Sequence, residues 1–147
     1  MGLIDDLGRG RVGVDTAIFI YFIEAAPRWL PIITPLFQAA DTGRIELVTS
    51  AVTLLEMLVI PYRANDAALA ARYEALLTRS RGIHLMDLTR DLLRRAAQLR
   101  ARIGVRTPDA LQIAAAQHAG CSTYVTNDRR LPPVPGLRLV QLAQYTA

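Results

Sequence analysis

Five short apolar runs, at residues 11–14, 45–49, 83–85, 123–126 and 137–142, are separated by stretches that read as helices. No other feature of the chain restricts its fold as much. Short strands alternating with helices are the signature of a parallel sheet, and a parallel sheet must be covered on both faces. The expected fold class is therefore α/β. It should be a three-layer α/β/α arrangement with a short central parallel sheet flanked by helices.

The punctuation between the runs supports this order. Asp15 and Thr16 open a helical run to Glu24, which Pro27 and Pro31 break, and a second helix over 31–41 stops at Gly43. Ser50 caps a helix over 51–62, and Asn65 or Asp66 caps the next, over 67–79, which Gly82 ends. Thr89 starts a helix whose Leu92, Ala96, Leu99 and Ile103 form one apolar stripe, with Arg95 and Arg102 on the outer side and Gly104 at its end. Thr107 reads as an N-cap with Pro108 at the first helical position, and that helix runs to His118 before Gly120. Asn127 and Asp128 form the turn after the fourth run, and a proline-rich break from Pro132 to Gly136 precedes a final edge strand. There is no internal repeat, and 147 residues suit one domain with a real core.

Composition narrows the class. Apolar residues make up 52% of the chain and charged ones 20%, which excludes a disordered protein. The net charge is +4, and all 17 basic residues are arginine, whose planar fork suits phosphate but whose exclusive use also fits a compositional bias of the genome. Cys121 is the single cysteine, so no internal disulfide can form and a reducing, cytoplasmic setting is expected. Arg9 and Arg11 ahead of the apolar stretch 17–23 imitate a secretion signal, but Asp5, Asp6 and Asp15 spoil it. No uncharged apolar run reaches the length of a bilayer span, so no membrane helix is expected.

Four acids stand out by position: Asp15, Glu56, Asp109 and Asp128. Asp15 and Asp128 directly follow strand candidates, and ligands of parallel sheets bind at those carboxyl ends. Taken singly, Asp15 also reads as a helix cap, Asp128 as a turn residue and Asp109 as a first-turn acid favoured by the helix dipole. Glu56 differs, because Leu54, Leu55, Met57, Leu58 and Val59 around it leave little polar surface, and a carboxylate buried there needs a cation or an arginine. Carboxylates converging on one crevice repel one another unless a divalent cation neutralises them, and an all-oxygen set suits Mg²⁺ or Mn²⁺. His84 and His118 lie far apart in sequence and form no zinc motif.

These residues resemble the motifs of a known family. The strand leading to Asp15 and Thr16, Glu56 in an apolar helix, residues 106–110 opening a helix around Asp109, and residues 125–129 closing a strand at Asp128 are together similar to PIN-domain nucleases. The similarity is greatest to the VapC-type toxins of bacterial toxin–antitoxin pairs, and it covers the chain from about Arg11 to Leu142. It implies a PIN-like fold and an Mg²⁺- or Mn²⁺-dependent endoribonuclease that cleaves RNA phosphodiesters. It also implies a small antitoxin partner that holds the enzyme inactive, and a homodimer. By the same likeness Asp15, Glu56, Asp109 and Asp128 are the catalytic and metal-binding acids, Thr126 orients the site, and Thr16 and Asn127 assist. Arg106, Arg129 and Arg130 flank the acids in sequence and are the candidates for RNA phosphate contacts. Residues 1–10 depart from the pattern, since such toxins commonly begin near the first strand, and they read as a leader without an assigned role.

A phosphoacceptor receiver domain is the rival suggested by Asp5 and Asp6, but receivers resemble the Asp-nucleophile phosphatases in needing a lysine, and this chain has none. A PIN-like domain that binds RNA or protein without cleaving is the other alternative, against which the presence of all four acids argues. The aromatic residues Phe19, Phe22, Trp29 and Phe37 are expected to offer apolar surface to a partner.

Overall fold

The computed structural model describes residues 2–145. Five strands, β1 (Gly10–Val14), β2 (Ile45–Ser50), β3 (Ile83–Met86), β4 (Thr123–Thr126) and β5 (Arg138–Gln141), form one parallel sheet in the order β3-β2-β1-β4-β5. The central strand is β1, with Val12 opposite Leu47 on one side and Thr123 on the other. The chain steps outward from β1 to β3 and then returns across β1 to β4. The reversal falls between β1 and β4, and in open parallel sheets the crevice at the carboxyl ends of such a pair is the natural ligand site.

Side chains alternate across the sheet, so both faces need cover. Val12, Val14, Leu47 and Val125 point into a core shared with α1 (Leu3–Leu7), α2 (Thr16–Ile23), α3 (Leu30–Asp41), α4 (Ala51–Arg63) and α5 (Ala67–Arg79). Val48 and Tyr124 point the other way, into the layer of α6 (Arg90–Ile103) and α7 (Thr107–His118). The three-layer α/β/α expectation holds.

α7 is the innermost helix, buried without interruption from Ala110 to Ala116. Its alanines let it lie close on β1, and the strand answers with Gly13. A Cβ there would fall 2.7 Å from Tyr124 Cδ1 and 2.8 Å from the Ala116 Cβ, closer than carbon atoms pack.

The caps form much as the sequence dictates. Asp15, Ser50, Asp66 and Thr89 each accept a backbone N–H from their own first turn, at Thr16, Val52, Leu69 and Leu92. Gly104 closes α6 with φ of 69°, the left-handed region where glycine carries no Cβ penalty. One cap is displaced: Arg106, not Thr107, occupies the N-cap of α7 without a side-chain bond, and its guanidinium reaches Asp109 instead. The last strand is also shorter than expected, because Leu142 leaves the sheet to be buried at the start of a 3-10 turn, Leu142–Tyr145.

Packing bears on two further expectations. Phe19 and Phe37 are core residues, and Phe22 stacks on Phe37 with ring centroids 3.9 Å apart, while Trp29 stacks on Tyr21 at 5.5 Å. These rings pack on one another, with Phe22 and Trp29 left half-buried. Among the described residues the large apolar side chains left exposed are Leu55, Ile60 and Tyr62 on α4, with Leu88 and Leu93 at α6. The segment read as a leader is part of the fold: Leu3 and Leu7 of α1 are buried in the main core, and the Asp6 carbonyl accepts from Arg138 Nη2 at 2.8 Å.

Among the described residues no helix is long and apolar enough to cross a membrane. Cys121 is buried, and that burial pushes its thiol up to about 11, so it is no nucleophile at neutral pH.

Candidate active site

β1 ends at Val14 and α2 begins at Thr16, which leaves Asp15 in the gap at the carboxyl end of the central strand. Its amide extends the ladder by donating to the Val125 carbonyl at 3.0 Å, so the backbone of β4 fixes it in place. Its carboxylate is held at both oxygens: Oδ1 accepts from the Thr16 amide at 2.8 Å and Oδ2 from Thr126 Oγ1 at 2.9 Å. Thr126 is fully buried at the end of β4, and its hydroxyl also accepts the Asp128 amide at 3.1 Å. One threonine therefore fixes two of the four acids relative to each other. The orienting role expected of Thr126 has this geometry.

Burial raises the Asp15 carboxyl above its ordinary value; the Thr126 and Thr16 bonds oppose this, and repulsion from Asp109 and Glu56 adds to it. The buried Tyr124 hydroxyl is raised mainly by burial and then by repulsion from all of Asp15, Asp109, Glu56 and Asp128. Acids spread over 113 positions of sequence, from Asp15 to Asp128, thus all contribute to the field at the Tyr124 hydroxyl.

Glu56 does not sit where its neighbours in sequence suggest. α4 buries Thr53, Met57 and Pro61 at successive helical turns and directs Glu56 and Leu55 outward. Glu56 is exposed, and the expectation of a buried carboxylate in an apolar helix is wrong. Periodicity decides it, since the apolar residues beside Glu56 fall partly on the exposed face. It is joined to the site through Thr16, whose Oγ1 donates to Glu56 Oε1 at 2.8 Å.

Asp109 and Asp128 are each held by an arginine. Arg106 Nε lies 3.3 Å from Asp109 Oδ2, and Arg130 Nε lies 3.1 Å from Asp128 Oδ1, with the Arg130 amide also donating to that oxygen. For Asp128, burial opposes ionisation, but the Arg130 amide and guanidinium outweigh it and hold the carboxyl below its ordinary value. Arg129 is exposed beside them. Asn127 donates through Nδ2 to the Tyr21 hydroxyl at 3.2 Å. Among the described residues, no three His, Cys, Asp or Glu side chains come together as a group that could hold a metal ion.

Beneath the acids lies a polar network that motif reading missed. Gln112 of α7 donates through Nε2 to Thr16 Oγ1 at 2.9 Å and to Thr53 Oγ1 at 2.7 Å, while its Oε1 accepts from the Ser50 hydroxyl at 2.7 Å and the Ser50 amide at 3.1 Å. Thr49, Ser50, Thr53 and Gln112 are all buried. The proton order follows from the chemistry of the ends. Ionised Glu56 only accepts, so Thr16 directs its one proton there, Thr53 donates to Thr16 at 2.8 Å, and Thr49 to Thr53 at 2.7 Å. The signal available in the sequence was Gln112 itself, a lone polar residue inside the run of apolar residues from Ala110 to Ala116.

The sequence pattern of the PIN domain matches residues 12–137, which is most of the chain and includes all four acids. The chain belongs to the PIN domain family. Solved structures agree on the fold of this PIN domain. FitAB bound to an IR36 DNA fragment matches with a TM-score of 0.68 at 15% identity, covering 90% of this chain and 94% of that one. VapBC2 from Rickettsia felis, bound to a DNA fragment from its promoter, matches with a TM-score of 0.65 at 15% identity, covering 90% and 98%. VapC20 of Mycobacterium tuberculosis, a sarcin–ricin loop cleaving toxin, matches with a TM-score of 0.64 at 19% identity, covering 81% and 91%. No curated protein matches the sequence closely enough to count as a relative.

Proposed function

We propose that this PIN domain is a divalent-metal-dependent endoribonuclease and the toxin of a toxin–antitoxin pair. The observation that carries this reading is that Asp15 and Asp128 stand beyond the carboxyl ends of β1 and β4, tied to the one Thr126 hydroxyl, with Glu56 of α4 joined to the neighbouring Thr16 and Asp109 in the first turn of α7. An all-oxygen, mutually repelling donor set fits Mg²⁺ or Mn²⁺. When bound, such a cation supplies a more acidic water and offsets charge growing on the scissile phosphate.

The residues of the chain do the rest. Thr126 and the Thr16 amide hold Asp15 rigid, and Thr16 holds Glu56. Asp109 and Asp128 would be available to hold such a cation once Arg106 and Arg130, with Arg129 beside them, turned to the RNA backbone, the phosphate replacing the carboxylates as partner of each guanidinium. Relatives in fold that include VapBC2, FitAB and a toxin–antitoxin complex from Klebsiella pneumoniae support an antitoxin partner and a toxin identity, and a homodimer belongs to the same reading.

A non-catalytic module that binds RNA or protein is the second reading, favoured by the arginines that occupy Asp109 and Asp128. Incubation of the purified protein with total RNA, in Mg²⁺ or Mn²⁺ and in EDTA, separates the two. Cutting that appears only with the metal is expected. Binding without cutting in every condition establishes the second reading instead.

A further inference from the structure

The opposite end of the sheet carries a second charged feature, away from the acids. The amino ends of β1, β2 and β3 meet at a cavity of about 630 Å³ lined by Arg9, Arg11, Arg44, Arg81 and His84, with Glu46 as its one carboxylate. Four arginines against one glutamate give this basin three of the net four positive charges of the whole chain. The remaining 13 arginines and 12 acids nearly cancel over the rest of the surface. A uniform excess of arginine would have spread the charge; this chain concentrates it.

The glutamate does not neutralise the basin. Glu46 is engaged by Arg11, Nε to Oε2 at 3.3 Å, and Arg11 is in turn anchored to the Ala119 carbonyl through Nη1 at 2.9 Å, so this pair forms a fixed wall. Arg44 makes only a long bond, Nε to the Gly8 carbonyl at 3.4 Å, and among the described residues Arg9 and Arg81 meet no carboxylate. The floor is shaped by backbone: Gly43 and Gly82 both have positive φ, and a Cβ on Gly82 would lie 2.2 Å from the Ala40 carbonyl oxygen. The result is a concave surface with three guanidinium forks that meet no carboxylate, a geometry that matches phosphate oxygens.

We infer that this basin is a second RNA site, which holds the phosphodiester backbone of a single strand at the end of the sheet remote from the acids. The inference rests on the reading of the chain as an RNA-acting protein. β1 has five residues, so basin and acid crevice are separated by roughly 16 Å at ~3.3 Å per residue. An RNA longer than the few nucleotides at the acids can occupy both, and the basin then adds affinity without touching the bond that is cut.

Fluorescence anisotropy of a labelled oligouridylate, in EDTA so that the strand stays intact, tests this with the full chain. Arg9→Gln with Arg81→Gln is expected to weaken binding about tenfold and to flatten the slope of log K against log salt by about 1.4, as for two lost single-strand phosphate contacts. Arg95→Gln with Arg102→Gln on the exposed side of α6 removes the same charge and is expected to leave affinity near that of the native chain. Equal losses from both pairs would reduce the effect to net charge and overturn the site. Unchanged binding in the first pair would do the same, and displacement of the RNA by inorganic phosphate or by a polyglutamate peptide at equal charge would reassign the basin to small anions or to an acidic protein. The outcome is separable from the nuclease reading: a chain that binds RNA through Arg9 and Arg81 but never cuts it loses only the proposed activity, and one that cuts with undiminished affinity in the variant loses only the basin.

Discussion

Gln112 Nε2 donates to Thr16 Oγ1 at 2.9 Å, and through that hydroxyl the buried helix α7 is coupled to Glu56 on the exposed side of α4. Thr16 has two acceptor sites and one proton, and Gln112, Thr53 and Glu56 use all three. The hydroxyl cannot rotate without breaking a bond.

Replacing Gln112 by leucine removes the centre of that network and leaves the Ser50 hydroxyl and amide without their acceptor. Each buried group left unpaired costs about 1–3 kcal/mol, so Gln112→Leu is expected to lower stability by about 3 kcal/mol in chemical denaturation. A loss below about 1 kcal/mol would mean that these hydrogen bonds add little to the fold.

Glu56→Gln separates chemistry from scaffold. Glu56 is exposed, so the substitution should change stability by no more than about 0.5 kcal/mol while removing RNA cleavage. Retained cleavage at the native rate excludes Glu56 from the site.

Asp15 carries a pH signature. Its carboxyl is raised in the folded chain, first by burial, so folding favours the protonated form. The penalty is absent below the unfolded value of 3.8 and is complete once the pH has passed the raised value of the folded state. In EDTA, Asp15→Asn should therefore gain melting temperature over the native chain progressively from about pH 4 upward, and Mn²⁺ should stabilise the native chain alone. A difference that does not change with pH removes this account of Asp15.

The opposite sign applies at Asp128. Arg130 overcomes burial to hold that carboxyl low, so Arg130→Gln should raise it and move the acidic limb of Mn²⁺ binding to higher pH. Titration of the Mn²⁺-induced melting shift against pH checks this, and an unmoved limb rules out Arg130 as the cause.

Gly13→Ala probes the seat of α7. The added methyl would meet the Tyr124 ring and the Ala116 methyl, and overpacking of this kind costs about 1–3 kcal/mol. An alanine accepted at no cost in urea unfolding would show that α7 does not press closely on β1 at Gly13.

The sequence by itself determined the order of strands and helices along the chain and most of the caps. Those are local properties: a cap needs only its own first turn, as Asp15, Ser50 and Thr89 show, and a buried parallel strand is apolar along its length wherever it lies. The position of Asp15 and Asp128 at strand ends was legible for the same reason, and so was the parallel sheet. What each acid touches was not legible. Glu56 was misplaced because its immediate neighbours are apolar, although the helical period that buries Thr53, Met57 and Pro61 leaves it facing solvent. The stacking of Phe19 and Phe22 on Phe37 was not legible, because nothing local tells a ring that stacks on another element from one that meets a second chain. Only the tertiary structure brought Gln112 within reach of Thr16, 96 positions away, and gathered Arg9, Arg44 and Arg81 around one cavity. Long-range partners of this kind are set by how helices lie on the sheet, which depends on close approaches such as that of α7 over Gly13.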